Sequence, residues 1–407
     1  MQTLSGSFAG FLPERFPGGA SESRATRTSP AVRAPRRLVL LALFACALLW
    51  LGVAACGRPQ PVVGVIVTER LRGPFDVAGR RALFGRSIDR FDCPQSLPPV
   101  RDVLVEGFYT DKDASVVNRQ ALVRYREAIK PITDYEWQIA TISDTVVRSS
   151  PPNPATARCA LERLDAWASQ GALLGRINPQ GAQERTWALS SIASAYLKVR
   201  EAEGLEAIKG GRVEAWIRQL ANEVTSYYSA RTGPDALNNQ AYWAGQASIL
   251  AGVAVNDKGL FTWGIERYRL GISQIQADGT LPLELARRSK ARYYHNFALM
   301  PLVLIGEVAA QNGIDLYGEG GGAIHRLAGR VIDSLDDPVF FERGAGVRQD
   351  WVGELNGESL AWMEPYFARV GDQRLVPWLL RLRPLRAPRF GGDATLLFGV
   401  PQLPGAE

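Results

Sequence analysis

The chain has 407 residues, of which 46% are hydrophobic and 22% are charged, an ordinary balance for a globular protein that argues against wholesale disorder. The net charge of +6 is uneven, because residues 1–56 hold six arginines against two glutamates, whereas the remainder has 41 basic and 39 acidic residues. No basic stripe indicates nucleic-acid binding. The length alone allows one large domain or two small ones.

The first predicted element, residues 1–56, is an export signal. Arg36 and Arg37 precede an apolar run of 18 residues, Leu38–Ala55, and small residues then lead to Cys56. The end of this run resembles the bacterial lipobox, in which the cysteine becomes lipidated. An uncleaved membrane anchor is the alternative, because such a run can just span a bilayer. Either reading places the body in the periplasm or cell envelope, tethered to the membrane.

Residues 57–92 contain scattered proline and arginine without a sustained period, which predicts a tether and a loose first layer. From about residue 115 the helical period dominates. Apolar stripes cover residues 189–197, 213–221 and 324–335, and turn signals separate them. Residues 93–400 are therefore predicted to form one all-α domain of about ten to twelve helices in antiparallel hairpins. Only residues 103–105 and 396–399 are predicted to form strands.

Two polar segments interrupt these helices. The first, NNQAYWAG, places Asn238 and Asn239 before Gln240, Tyr242 and Trp243. Asparagine directly before a helix commonly caps it, so a capping role is the alternative to a binding role for Asn238.

The second polar segment, residues 278–297, reads DGTLPLELARRSKARYYHNF. Arg287 and Tyr294 are seven positions apart, so on one helix they would share a face. A solvated arginine face beside core tyrosines is the plainer alternative.

The sequence disfavours several kinds of catalytic site. His295 and His325 are the only histidines, which excludes a site of several histidine ligands, and no acidic cluster has metal-ligand spacing. No serine–histidine–aspartate context is present. We expect His295 to be a structural hydrogen-bonding group and His325 to lie on the surface. No metal or cofactor is expected.

These segments resemble signatures of the mannuronate-specific alginate lyases. NNQAYW is similar to their NNHSYW motif, and the 278–297 block is similar to their DG-x-LP-x-EL-x-RR…YHN pattern. Further similarity in the same order covers about residues 93–395, including Cys93-Pro94, RCALERLDAWASQGAL, RTWALSSIASAY, LAWMEPY and RFGG. The resemblance implies an incomplete (α/α) toroid. It also supports a disulfide between Cys93 and Cys159, a pair that an oxidising compartment already makes a candidate, with free thiols as the alternative.

The resemblance also implies roles for individual residues in β-elimination at a uronate. Asn239 and Arg287 would hold the carboxylate, while Tyr294 would be the acid and also the base, provided that Arg287 favours its phenolate. Trp243 and Trp187 would stack on sugar rings. The remaining side chains expected to contact an acidic polysaccharide are Gln240, Tyr242 and Asn238. Glu284 and Glu364 are candidate braces for Arg287.

Two departures from the family pattern leave two hypotheses. Gln240 replaces the motif histidine and cannot titrate, and Phe108, in Gly107-Phe108-Tyr109, replaces a lysine. In the first hypothesis, Tyr294 performs both proton transfers in a syn elimination on mannuronan or a glucuronan-like polymer. In the second, the protein has lost catalysis and only binds an acidic exopolysaccharide in the cell envelope.

Overall fold

The structure is a computed structural model that describes residues 69–202, 211–351 and 355–405. The predicted export signal, including the lipidation candidate Cys56, lies outside the described residues. Within the described ranges, no helix combines the length and the apolarity needed to cross a bilayer.

The described part of the chain is built almost entirely from helices, as predicted. The α-helices are α1 (Val77–Phe84), α2 (Arg119–Arg148), α3 (Pro154–Ser169), α4 (Pro179–Val199), α5 (Gly211–Ser229), α6 (Asn239–Ala254), α7 (Lys258–Gln274), α8 (Pro282–Leu285), α9 (Ala291–Ala310), α10 (Glu319–Asp336), α11 (Val339–Ala345), α12 (Met363–Val370), α13 (Val376–Leu382) and α14 (Ala394–Phe398). Short 3₁₀ turns cover Pro234–Ala236, Arg288–Lys290, Gln373–Leu375 and Pro388–Phe390. A two-residue antiparallel ribbon pairs β1 (Arg386–Ala387) with β2 (Gly392–Asp393).

The long helices form two rows. Helices α2, α4, α6 and α9 contact one another in succession, and α3, α5, α7 and α10 form a second row against them. The helices of the first row run in the same direction. Trp187, Trp243 and Phe297, near the N-terminal ends of α4, α6 and α9, contact one another, and Arg200 after α4 binds carbonyls at the C-terminal end of α6. Alternation between the rows therefore gathers the N-terminal ends of the first-row helices on one side.

Four asparagines begin four of these helices. Asn118, Asn153, Asn178 and Asn238 each accept a hydrogen bond from a backbone N–H in the first turn of α2, α3, α4 and α6. Each such cap is worth about 1 kcal/mol relative to alanine. The expected capping role of Asn238 is thus confirmed.

The periodicity predictions hold best for the second row. The predicted stripes match the buried faces of α5 and α10, whereas α4 is buried almost all round because it lies between two first-row neighbours. The strand prediction for residues 396–399 is wrong, since Asp393 caps α14 there. Of residues 103–105, only Val103 pairs, in one parallel bridge to Ile177. Six helices of eight residues or fewer raise the described helix number to fourteen.

The described part of the N-terminal segment, where a loose layer is expected, contacts the body at several points. The Leu71 side chain is buried, and its N–H donates to Asn256 Oδ1 at 3.0 Å. Arg80 Nη1 donates to the Gly399 carbonyl at 2.7 Å. The predicted disulfide between Cys93 and Cys159 is present, with a Cα–Cα distance of 5.8 Å.

Candidate active site

The two polar segments meet at one buried carboxylate. Glu284 Oε1 accepts hydrogen bonds from the Asn239 backbone N–H at 2.7 Å and from Asn239 Nδ2 at 2.9 Å. Glu284 Oε2 lies 3.6 Å from Arg287 Nε, which is too long for a hydrogen bond but within ion-pair range. Burial raises the pKa of Glu284, and the Arg287 charge and the Asn239 donors oppose that shift. We call Asn239, Glu284 and Arg287 the clamp cluster.

Arg287 contacts Tyr294, but the backbone between the two residues differs from the predicted single helix. The two residues do not share a helix, because Arg287 lies in the turn after α8, whereas Tyr294 is in α9. Arg288, in the left-handed region at φ 51°, changes the chain direction between them. The Arg287 guanidinium nevertheless lies 4.7 Å from the centre of the Tyr294 ring, in a cation–π contact. The predicted convergence of these two side chains is therefore confirmed.

Tyr294 is paired with a second phenol, Tyr109, that was not among the predicted site residues. The hydroxyl groups of Tyr294 and Tyr109 share a hydrogen bond of 2.9 Å. Tyr109 begins a tight loop that Asp111 closes by accepting the N–H groups of Ser115 and Val116. Ser289 Oγ donates to the Ser115 carbonyl at 3.2 Å, which ties this loop to the turn beside Arg287.

The electrostatics of Tyr294 correct one expectation. Burial raises the pKa of Tyr294 well above its ordinary value, and the neighbouring Tyr109 adds to the shift. Arg287 acts in the predicted direction, lowering the pKa, but does not compensate for burial. Burial also raises the pKa of Tyr109. Tyr294 is therefore a neutral phenol, a proton donor in its resting form.

A second ionic cluster lies beside the first. Arg389 Nε is 3.4 Å from Glu136 Oε2, and Arg389 Nη2 is 3.5 Å from Glu184 Oε2. Tyr125 donates a hydrogen bond of 2.5 Å to Glu184. Burial raises the pKa of Glu136 to about 7, against the opposing charge of Arg389. We call Arg389, Glu136 and Glu184 the Arg389 cluster.

Arg389 also lines a cavity of about 260 Å³. The cavity wall includes Arg126, Trp243, Tyr293, Asn296, Phe297, Glu358 and Arg389. Phe297 contacts both Tyr294 and Trp243, with ring centres 6.3 and 5.0 Å away, so the cavity adjoins the Tyr294 site.

The two tryptophans expected to stack on sugar rings do not present open faces. The Arg389 guanidinium lies 4.3 Å from the centre of the Trp187 ring, and only 1% of Trp243 is exposed. The two rings meet edge to face at 6.4 Å. Trp243 lines the cavity and Trp187 packs under Arg389, so stacking of these rings on a sugar stays a prediction.

The remaining residues of NNQAYW separate into core and surface. Tyr242 is 1% exposed and donates to the Leu237 carbonyl at 3.1 Å, so its expected contact with polysaccharide is wrong. Asn238 is buried and uses its side chain as the cap of α6. Gln240 is half-buried, and its side chain makes no hydrogen bond to any described residue, which leaves its amide available.

The histidine predictions are confirmed. His295 is fully buried, with Nδ1 2.7 Å from the Ala291 carbonyl and Nε2 accepting from the Leu281 N–H at 2.9 Å. Burial lowers the pKa of His295 to about 4, so its ring is neutral and structural. His325 is exposed. Within the described ranges, no group of three or more His, Cys, Asp or Glu is placed to bind a metal ion.

The two predicted braces of Arg287 behave differently. Glu284 is the brace within the clamp cluster, as expected. Glu364 is equally buried but pairs with Arg383 through two hydrogen bonds of 2.8 and 2.7 Å, so its assignment to Arg287 is wrong.

The positions of these side chains favour an anionic ligand. Asn239 and Tyr294 both lie in the first turn of a first-row helix. Unpaired N–H groups and the helix dipole give such ends a partial positive charge. The guanidinium of Arg287 makes no hydrogen bond within the described residues, so its donors can serve a carboxylate.

Comparison with known proteins is consistent with this chemistry. Residues 106–341 match the family model described as alginate lyase. A polysaccharide lyase of Stenotrophomonas maltophilia (strain K279a) is 35% identical over 309 residues, covering 75% of this chain and 90% of that protein. An alginate lyase of Azotobacter vinelandii (strain DJ / ATCC BAA-1303) is 35% identical over 317 residues, covering 75% and 84%.

A solved structure extends the match to the fold. A histidine-to-alanine variant of alginate lyase A1-III, complexed with tetrasaccharide, superposes with a TM-score of 0.73 at 29% identity, covering 83% of this chain and 98% of that one. The similarity confirms the predicted (α/α) toroid. The family-model match spans more than half of the chain, and the relatives are aligned over most of their own length. The chain therefore belongs to the alginate lyase family.

Proposed function

We propose that the protein is a polysaccharide lyase, a carbon–oxygen lyase that cleaves mannuronan, alginate or a glucuronan-like polyuronate by syn β-elimination. The observation that carries the proposal is the convergence of Asn239, Arg287 and Tyr294 on one site at the N-terminal ends of the first-row helices. The relatives named alginate lyase, and the A1-III structure with tetrasaccharide, support an acidic polysaccharide as substrate.

The clamp cluster supplies the first requirement of the reaction. Removing the C5 proton of a uronate leaves charge that the adjacent carboxylate must absorb, so this carboxylate has to be neutralised. Donors fixed in advance are most effective where such charge develops. Glu284 fixes Asn239 through two hydrogen bonds and holds Arg287 at 3.6 Å, so both are oriented before substrate arrives.

Tyr294 supplies the proton transfers. Its neutral phenol is the form that protonates the leaving O4. To remove the C5 proton it must first be a phenolate, and its raised pKa makes that form scarce near neutral pH. The rate is therefore expected to increase on the alkaline side of neutrality. One phenol acting at both C5–H and O4 requires both on the same face of the sugar, as in a syn elimination.

The two departures from the family pattern bear on substrate choice. Phe108 packs against Tyr109 and Tyr125, with ring centres 4.5 and 4.8 Å away, so it supports the Tyr109 loop and adds no charge. Gln240 offers an amide beside the clamp cluster and cannot accept a proton as base. Both changes favour a polymer whose elimination needs no second base.

The test is a panel of polyuronates incubated with the purified protein. Ultraviolet absorbance follows the unsaturated product formed by elimination. We expect product from mannuronan or a glucuronan and none from polyguluronate, whose elimination is anti. Absence of product from every polymer, together with measurable binding, would establish the binding-only alternative.

We also propose that the protein acts in the periplasm or cell envelope, tethered through Cys56 or an uncleaved anchor. The apolar run before Cys56 and the Cys93–Cys159 disulfide support an exported protein. Mass spectrometry of the membrane fraction is expected to find lipid on Cys56, and Cys56→Ser is the control. A soluble mature protein without lipid would contradict the lipoprotein assignment.

A further inference from the structure

The chain segment that brings Arg389 to the cavity is held from two sides. Residues 388–393, here called the C-terminal turn, lie between α2 and α4. On one side Arg389 meets Glu136 of α2 and Glu184 of α4. Farther along the same two helices, Asp144 and Lys198 meet the backbone of the turn. Glu136 and Asp144 are eight residues apart, roughly 12 Å along α2.

The second contact is a buried ion pair that binds backbone atoms. Lys198 Nζ donates to Asp144 Oδ1 and to the Gly391 carbonyl, both at 2.6 Å. Asp144 Oδ2 accepts the Asp393 N–H at 2.8 Å. The Lys198 side chain has no exposed surface, and neither member of the pair lines the cavity that holds Arg389.

The closeness of this contact depends on a glycine. Gly392 has φ 119°, and a Cβ there would lie 2.6 Å from an Asp144 carboxylate oxygen and 2.9 Å from Lys198 Nζ. Any side chain at this position would separate the turn from the ion pair. The turn backbone is thus fitted to the two charges at Gly391 and Asp393, two and four residues after Arg389.

We propose that Lys198 and Asp144 are positioning residues that hold Arg389 over Trp187 and so shape the polyuronate-binding cavity; this rests on the proposed function. A buried ion pair contributes little net stability compared with a well-packed apolar pair. Its contacts here fall on the Gly391 carbonyl and the Asp393 N–H, which set the path of the turn. Polymer binding therefore depends on two charges that do not touch the polymer.

The test begins with Lys198→Met in the full-length protein. We expect KM for the best polyuronate to increase about tenfold, while kcat changes by less than about threefold. In an Arg389→Lys background, Lys198→Met should alter KM by less than about twofold, because Lys198 affects KM only by positioning Arg389. If Lys198→Met does not fold, Lys198→Met combined with Asp144→Asn removes the unpaired charge and carries the same expectation.

A matched control separates positioning from stability. Arg369→Met breaks another ion pair, to Glu307 on α9, outside the Arg389 contacts. We expect it to lower Tm without changing KM. A lowered Tm with unchanged KM in Lys198→Met as well would overturn the proposal.

A second measurement needs no activity. In a crystal structure of Lys198→Met, the Arg389 guanidinium should have left the Trp187 ring, from which it lies 4.3 Å in the parent protein. A guanidinium still seated on Trp187 would reject the positioning role. Should the parent protein yield no unsaturated product, the proposed function fails, and this structural comparison still decides the positioning of Arg389.

Discussion

The clamp cluster contacts Tyr294 and the Arg389 cluster lines the adjoining cavity, and the two clusters balance charge in opposite ways. In the clamp cluster one carboxylate, Glu284, faces one guanidinium, and Asn239 already donates twice to that carboxylate. In the Arg389 cluster two carboxylates face one guanidinium at 3.4 and 3.5 Å. The first cluster is neutral and leaves Arg287 with donors to offer. The second carries an excess negative charge unless one carboxyl keeps its proton.

This difference indicates where a uronate carboxylate can be neutralised. Arg389 is already shared by Glu136 and Glu184, so the charge that it can give to a ligand is small. The Arg287 guanidinium makes no hydrogen bond within the described residues and lies against the Tyr294 ring. Neutralisation of the substrate is therefore assigned to the clamp cluster, and the Arg389 cluster is assigned to the shape of the adjoining cavity.

The largest effect is expected at Tyr294. Tyr294→Phe removes the hydroxyl needed for proton transfer and should lower kcat about 10³-fold, while polymer binding is largely retained. The change is measured by the rate of ultraviolet absorbance increase.

Tyr242→Phe is the matched control, because it removes another buried tyrosine hydroxyl, four residues after Asn238, that bonds only to a backbone carbonyl. It should leave kcat and KM unchanged. Full activity in Tyr294→Phe would reject the role assigned to this phenol.

The next effect concerns stability and tests the excess charge of the Arg389 cluster. The pKa of Glu136 is about 7 in the folded protein and about 4.3 when unfolded. Between these pH values the folded state keeps a proton that the unfolded state has lost. The Glu136 contribution is therefore greatest below about pH 4.3 and decreases as pH rises to about 7.

Glu136→Gln should abolish this dependence. Over that interval the parent protein should lose about 3 kcal/mol more unfolding free energy than the variant. Denaturant titrations at several pH values measure the difference, and the exposed Glu266→Gln serves as control. An equal pH dependence in parent and Glu136→Gln would show that Glu136 does not hold the proton of the cluster.

The third prediction breaks the clamp cluster without touching substrate. Glu284→Gln removes the charge that orients Arg287, and misplacement by about 1 Å can cost about 10²-fold in kcat/KM. Glu364→Gln is the control, since Glu364 is an equally buried carboxylate that pairs with Arg383. We expect it to lower Tm and to preserve kcat/KM. Equal kinetic losses in the two variants would mean that Glu284 acts only through stability.

The smallest effect is expected from restoring a titratable group beside the clamp cluster. A base must be deprotonated to act, and the raised pKa of Tyr294 places the rising limb of kcat/KM on the alkaline side of neutrality. Gln240→His adds an imidazole with an ordinary pKa of about 6.5, so the rising limb should move toward that pH with a gain of several-fold near neutrality. Gln240→Asn cannot titrate and should keep the parent profile. An unshifted profile in Gln240→His would mean that position 240 does not face the C5 proton.

The features of this molecule that depend on local sequence pattern could be predicted. The stripes of α5 and α10 predicted their buried faces, and the asparagine before NQAYW predicted a cap. The resemblance supplied the toroid and the pairing of Asn239, Arg287 and Tyr294. The break in the helix between Arg287 and Tyr294 was not predicted, because the surrounding sequence has a helical pattern. Arg288, with its left-handed backbone, interrupts the helix there.

Other features depend on contacts between distant segments, and no local pattern reports them. Arg389 lies 253 positions from Glu136, and Tyr109 lies 185 positions from Tyr294. The RFGG match contained Arg389, and the match around Phe108 contained Tyr109, but neither indicated a partner. Tyr242 was assigned to substrate because it belongs to the NNQAYW motif, whereas the turn of α6 directs it into the core.

The most direct test of the central claim is a crystal structure of the Tyr294→Phe variant bound to a mannuronate tetrasaccharide. We expect one uronate carboxylate within hydrogen-bond distance of Asn239 and Arg287, with C5–H and O4 of that sugar both facing position 294. A carboxylate bound at Arg389 instead, or a C5–H that faces Gln240, would contradict it.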